Sequence, residues 1–145
     1  VTDAYIDPTR EAFELFKSLP RNVPINMLNL LLFNERALYP DDHPFSTNGW
    51  NGARAYREYG KTSGPIFARV GGSIIWRGKM EAMVIGPPER HWDASFIARY
   101  PSSAAFMEMV TDPEYRKAVV NRQAAVKTSR LIRFSPLENQ DAVFS

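Results

Sequence analysis

An α+β domain on a four-stranded antiparallel sheet is the fold this sequence predicts, and three observations carry that expectation. After one N-terminal helix, the hydrophobic periodicity over residues 23–135 runs strand, helix, strand, strand, helix, strand. The stretch from Trp92 to Phe134 reads strand, helix, helix, strand, with a start or stop residue at each joint. The strand segments are apolar on both sides, as when each face of the sheet is covered.

The length of 145 residues fits a single domain, 1–145, with a real core. Residues 1–22 read as a helical extension and 136–145 as a polar tail. Eighteen basic and 16 acidic side chains leave a formal charge of +2, with the basic residues scattered, which argues against a nucleic-acid or anionic-membrane partner. The chain has no cysteine, so disulfides, thiolate metal sites and cysteine nucleophiles are excluded. The longest apolar run, Met27–Phe33, is interrupted by Asn29 and is too short to span a bilayer. With no basic-then-apolar signal segment at the start, the expected location is cytoplasmic.

In chain order, Asp7-Pro8 reads as N-cap and first helical residue. Ala12, Leu15, Phe16 and Leu19 follow on one face. Pro24–Phe33 is a strand with Asn26 and Asn29 as single polar breaks on its two faces. Residues 34–50 form a long turn-rich loop. Ala53 to Val70 keeps helical spacing, with a kink or break expected at Pro65 and Gly71-Gly72 as the stop. Ser73–Ile85 is a strand with a bend or bulge expected at Gly78, and Trp92–Tyr100 is its hairpin partner. Ser102 caps one helix and Asp112-Pro113 starts the next. Ser129–Phe134 is the last strand.

This order is the split βαβ, or ferredoxin-like, arrangement, with helices on one face of the sheet only. A monomer with strands so apolar would expose a large patch, so a homodimer through the sheet face is expected. Met27-Leu28-Asn29-Leu30-Leu31, Trp92-Asp93 through Arg99-Tyr100-Pro101-Ser102, and Asp112-Pro113-Glu114-Tyr115 with Arg122 resemble the dimeric α/β-barrel superfamily. The nearest branch is the domain-of-unknown-function family 1330, over roughly residues 23–135. That resemblance implies the fold and where a cavity would lie. It implies no single reaction, since relatives range from cofactor-free monooxygenases and muconolactone isomerase to haem enzymes and proteins with no assigned reaction.

Candidate site residues follow from residue type and face. Arg122 falls on the apolar face of the last helix with Tyr115, Ala118, Val119 and Val126, and there it clamps an anion, pairs with a carboxylate such as Asp93, or snorkels to water. Asn29, among leucines, needs a partner, and it either orients a ligand oxygen or bonds across the sheet. Tyr56, Tyr59, Trp76, Trp92 and Phe96 either line an aromatic pocket or belong to the core. His91, beside Trp92-Asp93, is a candidate acid/base or an ordinary turn histidine. Neither His43 nor His91 has a second metal ligand at useful spacing, so no metal or organic cofactor is expected. Three hypotheses stand: a cofactor-independent enzyme acting by proton transfer or oxygenation on a small carbonyl-bearing or aromatic organic acid, a non-catalytic dimeric binding or stress-associated protein, and a haem-linked barrel.

Overall fold

The computed structural model describes residues 3–138. Its elements are α1 (Arg10–Ser18), β1 (Ile25–Phe33), α2 (Gly52–Arg69), β2 (Ser73–Gly78), β3 (Ala94–Tyr100), α3 (Ser103–Thr111), α4 (Pro113–Ala125) and β4 (Val126–Phe134). The strands make one antiparallel sheet in the order β2-β3-β1-β4, which is the ferredoxin-like arrangement expected from the element order. The tail expected at 136–145 lies, from residue 139 onward, outside the described residues.

Strand pairing fixes two unlike faces, because directly opposed residues share a side. Ile25, Met27, Asn29 and Leu31 of β1 stand beside Tyr100, Ala98, Phe96 and Ala94 of β3. This face carries the helices: Ile66 and Val70 at the end of α2, Phe106 and Met109 of α3 and Tyr115 of α4 join one apolar cluster with it. A second cluster joins Leu31 to Ala55, Ala125 and Val126. Asn26, Leu28 and Leu30 occupy the opposite face with Arg99, Ile97 and Ser95 of β3 and Phe134, Ile132 and Arg130 of β4.

Local chemistry places the helix starts. Ser102 and Asp112 cap α3 and α4 as expected, accepting from the Ala105 and Glu114 amides at 3.0 and 2.7 Å. The first helix starts two residues later than expected. Thr9 is its cap, taking the Ala12 amide at 3.1 Å, while the Asp7 carboxylate accepts from the side chain of Gln123. Pro65 neither ends nor divides α2, which is one helix of 18 residues. Pro65 and Lys61 are both exposed, so the Lys61 carbonyl that lacks a donor faces water.

Strand boundaries also differ from expectation, most of all at the end of β2 and the start of β4. β2 stops at Gly78 instead of running to Ile85, and its irregularity lies between Ile74 and Trp76. The Trp76 ring folds over Gly78, where a Cβ would stand 2.5 Å from it. Residues 79–93 are irregular, leaving Val84 and Ile85 89% and 93% exposed. At the other end of the chain α4 passes directly into β4 at Val126, three residues before the expected start. Val126 is fully buried against Phe33. Gly52, at the head of α2, fits against this junction: a Cβ would meet the carbonyl oxygens of Asn34 and Ala125 at 2.4 and 2.7 Å.

Candidate functional site

The helix-covered face holds a group of phenols. Tyr56 and Tyr59 of α2 lie with ring centroids 5.2 Å apart. The hydroxyls of Tyr59 and Tyr115 are hydrogen-bonded at 2.8 Å. Tyr100 reaches the Met109 sulfur at 3.8 Å. Phe33, at the end of β1, packs on Tyr56 at 5.2 Å. Among the described residues, the Tyr56 hydroxyl has no hydrogen-bond partner, although burial raises its pKa strongly. Burial also raises Tyr59, Tyr100 and Tyr115, so all four are neutral donors at ordinary pH.

Arg122 supplies the charge beside them. Its field opposes the upward shifts at Tyr56, Tyr59 and Tyr115. Its guanidinium donates to the Ile6 carbonyl at 2.5 Å and to the Ser129 hydroxyl at 3.2 Å. Both acceptors are neutral, and among the described residues no carboxylate forms an ion pair with it. The expected alternative of a pair with Asp93 is therefore corrected. Asp93 accepts from the Phe33 amide at 2.8 Å, and its other carboxylate oxygen lies 3.2 Å from His91 Nε2.

The other expected residues divide between the two faces. Asn29 is buried on the helix-covered face beside Phe96 and Leu131, donating to the Met27 carbonyl of its own strand at 3.1 Å. Trp76 stands opposite Ile97 on the other face and is 49% exposed, so the expected shared pocket of Trp76 with Tyr56 and Tyr59 does not form. Trp92 precedes β3 and packs under the guanidinium groups of Arg90 and Arg130, again apart from the phenols. Its irregular lead-in, not a strand, sets that direction. His91 lies in an exposed turn and no hydrogen bond or ring contact joins it to the tyrosines. His43 stacks on Tyr39 at 4.7 Å, with its Nδ1 accepting from the Phe45 amide. Among the described residues no three His, Cys, Asp or Glu converge as a metal site requires, and no helix is long and apolar enough to cross a membrane.

Sequence reasoning missed Tyr115, Ser129 and Ile6 as site residues. Tyr115 carried a signal, since it shares Arg122's helical face. Ser129 and Ile6 meet Arg122 only through folding, and no spacing announces them.

Sheet order and the one-sided helical layer define a ferredoxin-like α+β fold. Residues 47–133 match the family described as Domain of unknown function (DUF1330), and the chain belongs to that family. It is 51% identical to RPA0582, a protein of unknown function from Rhodopseudomonas palustris, over 94% of this chain and 99% of that one, with a TM-score of 0.86. A methylated form of RPA0582 aligns at 50% identity over 96% and 99% of the two chains, with a TM-score of 0.88. SnoaB, a cofactor-independent oxygenase from Streptomyces nogalater, shares the fold at 12% identity over 83% and 99% of the chains, with a TM-score of 0.52. No curated protein matches the chain significantly.

Proposed function

We propose that this chain is a cytoplasmic homodimer that binds a small organic anion in each protomer, between α2, α4 and the helix-covered face of the sheet. The carrying observation is Arg122, a cation held by two neutral acceptors beside the half-buried Tyr56, whose hydroxyl has no hydrogen-bond partner among the described residues. A carboxylate-bearing ligand with a carbonyl or aromatic ring supplies what both groups lack: a counter-charge for the guanidinium and an acceptor for the phenol. Asn29 lies on the floor of the same face.

The chemistry we assign to the site is oxyanion stabilisation. Neutral phenols and a guanidinium are donors, so they favour a substrate oxygen that gains negative charge in proton transfer or oxygenation of an activated substrate. The upward pKa shifts make the tyrosines donors and not bases. On this reading the protein works without a metal or organic cofactor. The non-catalytic reading keeps the same pocket and drops the reaction. What favours it is that the phenol cluster offers donors and no carboxylate or imidazole to take a proton.

The opposite face of the sheet is, on this proposal, the contact with a second copy. Trp76, Ile132 and Phe134 are 40–49% exposed there.

Calorimetric titration of benzoate, salicylate and acetoacetate tests the site. At least one should bind, and Arg122→Gln should weaken it by about tenfold to a hundredfold, the worth of a hydrogen bond to a charged group. No binding below about 10 mM, or equal binding by the variant, overturns the assignment.

A further inference from the structure

Arg122 is held by a segment that precedes the first helix, and that segment has a fastening of its own. The Asp3 carboxylate accepts from Thr128 at 2.5 Å, from Arg90 at 2.7 Å and from Arg130 at 3.1 Å. The Thr128 hydroxyl and Arg130 hold its carboxyl below the usual carboxylate range. Two residues on, the Tyr5 amide donates to the Thr128 hydroxyl at 3.1 Å and the Tyr5 carbonyl accepts from Ser129 at 2.7 Å. The Tyr5 ring lies under the Arg130 guanidinium. Asp7 closes the far end by accepting from Gln123.

Between these two fastenings sits Ile6. Its carbonyl takes the Arg122 guanidinium, and its side chain packs on the cluster of Leu31, Ala55, Ala125 and Val126, against which Tyr56, Phe33 and Phe96 also pack. Ser129, the other acceptor for Arg122, is itself oriented by donating to Tyr5. Both contacts of Arg122 therefore depend on where residues 5 and 6 lie.

We propose that residues 3–7 are a strap belonging to the ligand site: Ile6 covers the tyrosine cluster, its carbonyl aims Arg122, and Asp3 is the positioning residue that latches the strap through Arg90, Arg130 and Thr128. The proposal rests on Arg122 and Tyr56 being the ligand-binding groups. Asp3 does not touch Arg122, so its effect on Arg122 travels through the strap or through Thr128 and Arg130 to Ser129, and exchange at residues 3–7 tells the two routes apart. Release of the latch frees the guanidinium and uncovers the phenols. An organic anion then enters without any movement of the sheet.

The test is site-resolved modification of arginines by phenylglyoxal, read by peptide mass spectrometry on the full chain, alongside hydrogen exchange. In Asp3→Ala, residues 3–7 should exchange faster and Arg122 should be modified about tenfold faster or more, as expected for loss of charge-assisted bonds. Arg69 and Arg116 should keep their rates, and Asp3→Glu should restore protection of Arg122. Arg90 and Arg130 lose a direct partner and carry no weight in the comparison. Should Asp3→Ala fail to fold, Arg90→Gln removes one latch contact and is read the same way. An unchanged Arg122 rate with a faster-exchanging segment overturns the proposal, as does an unchanged exchange rate at residues 3–7. Benzoate added to the opened variant separates the two readings. If it fails to protect Arg122 while the latch effect is present, the strap stands and the anion site falls.

Discussion

On the helix-covered face of the sheet, Ile25, Met27 and Leu31 are closed off by α2, α3 and α4, whereas Leu28, Leu30 and Ile132 on the opposite face stay partly open. The same strands feed large apolar residues to both faces, although the open one also carries Asn26, Arg99, Ser95 and Arg130, so composition alone does not make the difference. What makes it is connection: the crossovers return on one side only. Among the described residues the Tyr56 hydroxyl on the covered side has no hydrogen-bond partner, and Asn26 Oδ1 on the other is a buried atom without one. Buried polar groups are rarely left unpaired. On the proposals above, the first waits for a ligand. The comparison teaches that the two faces should respond to different perturbations, one to chemistry and the other to concentration.

The largest expected effect comes from alkali, and it belongs to the covered face. Burial raises the pKa of Tyr56, Tyr59, Tyr100 and Tyr115 above the unfolded value of about 10. Above that pH the unfolded chain loses protons that the folded chain keeps. It then binds fewer protons than the native state, and stability falls as pH rises. Below it, both states are protonated and these groups contribute no slope. Each phenol contributes up to about 1.4 kcal/mol per pH unit in the falling range. Urea unfolding from about pH 8 to about pH 12 should be level at first and then fall steeply, with phenolate absorbance from these four appearing only on unfolding. Native phenolate absorbance from the four near pH 10, with stability unchanged, would mean that the covered face is wet.

Next in size is a pair of substitutions, one on each face. Leu31→Ala removes a side chain with no exposed surface and should cost about 3 kcal/mol at any protein concentration. Ile132→Asp, at a site 40% exposed in the single chain, should cost the protein far less but leave it monomeric by light scattering at micromolar concentration, where the unaltered chain should show twice the 16.5 kDa mass. A monomeric mass for the unaltered chain would break the comparison, because the open face would then need no second sheet.

Much of the covered face was legible because its signals are local. Ser102 and Asp112-Pro113 announce helix starts within three residues, and the spacing of Ala53 to Val70 announces α2. The phenols at Tyr56 and Tyr59 follow from that spacing. Less could be read where direction depends on a neighbour. Trp76 was expected with the tyrosines, but a strand apolar on both sides does not say which residues face the helices, and the irregularity after Ile74 sits directly before it. Arg122 was expected to find either a cavity or a carboxylate, and it found a backbone carbonyl 116 residues away. Asp3, Tyr5 and Ile6 have no periodicity at all. Their meaning comes from Thr128, Ser129 and Arg122, which only the folded chain brings near.

The smallest effect separates two phenols on the same helix. Tyr59 and Tyr115 satisfy each other, so Tyr59→Phe leaves the Tyr115 hydroxyl buried without its partner and should cost about 1 kcal/mol. Tyr56→Phe removes a hydroxyl that already has no partner among the described residues, keeps the ring against Phe33 and Tyr59, and should leave stability unchanged or slightly raised. A polar group whose removal costs no stability is one that folding did not need. If Tyr56→Phe also weakens benzoate by about fivefold or more while Tyr59→Phe leaves it within about twofold, the orphan hydroxyl is retained for a ligand. A stability loss in Tyr56→Phe equal to that in Tyr59→Phe would instead make Tyr56 a bonded core residue, and the covered face would then hold a packed cluster where we place a site.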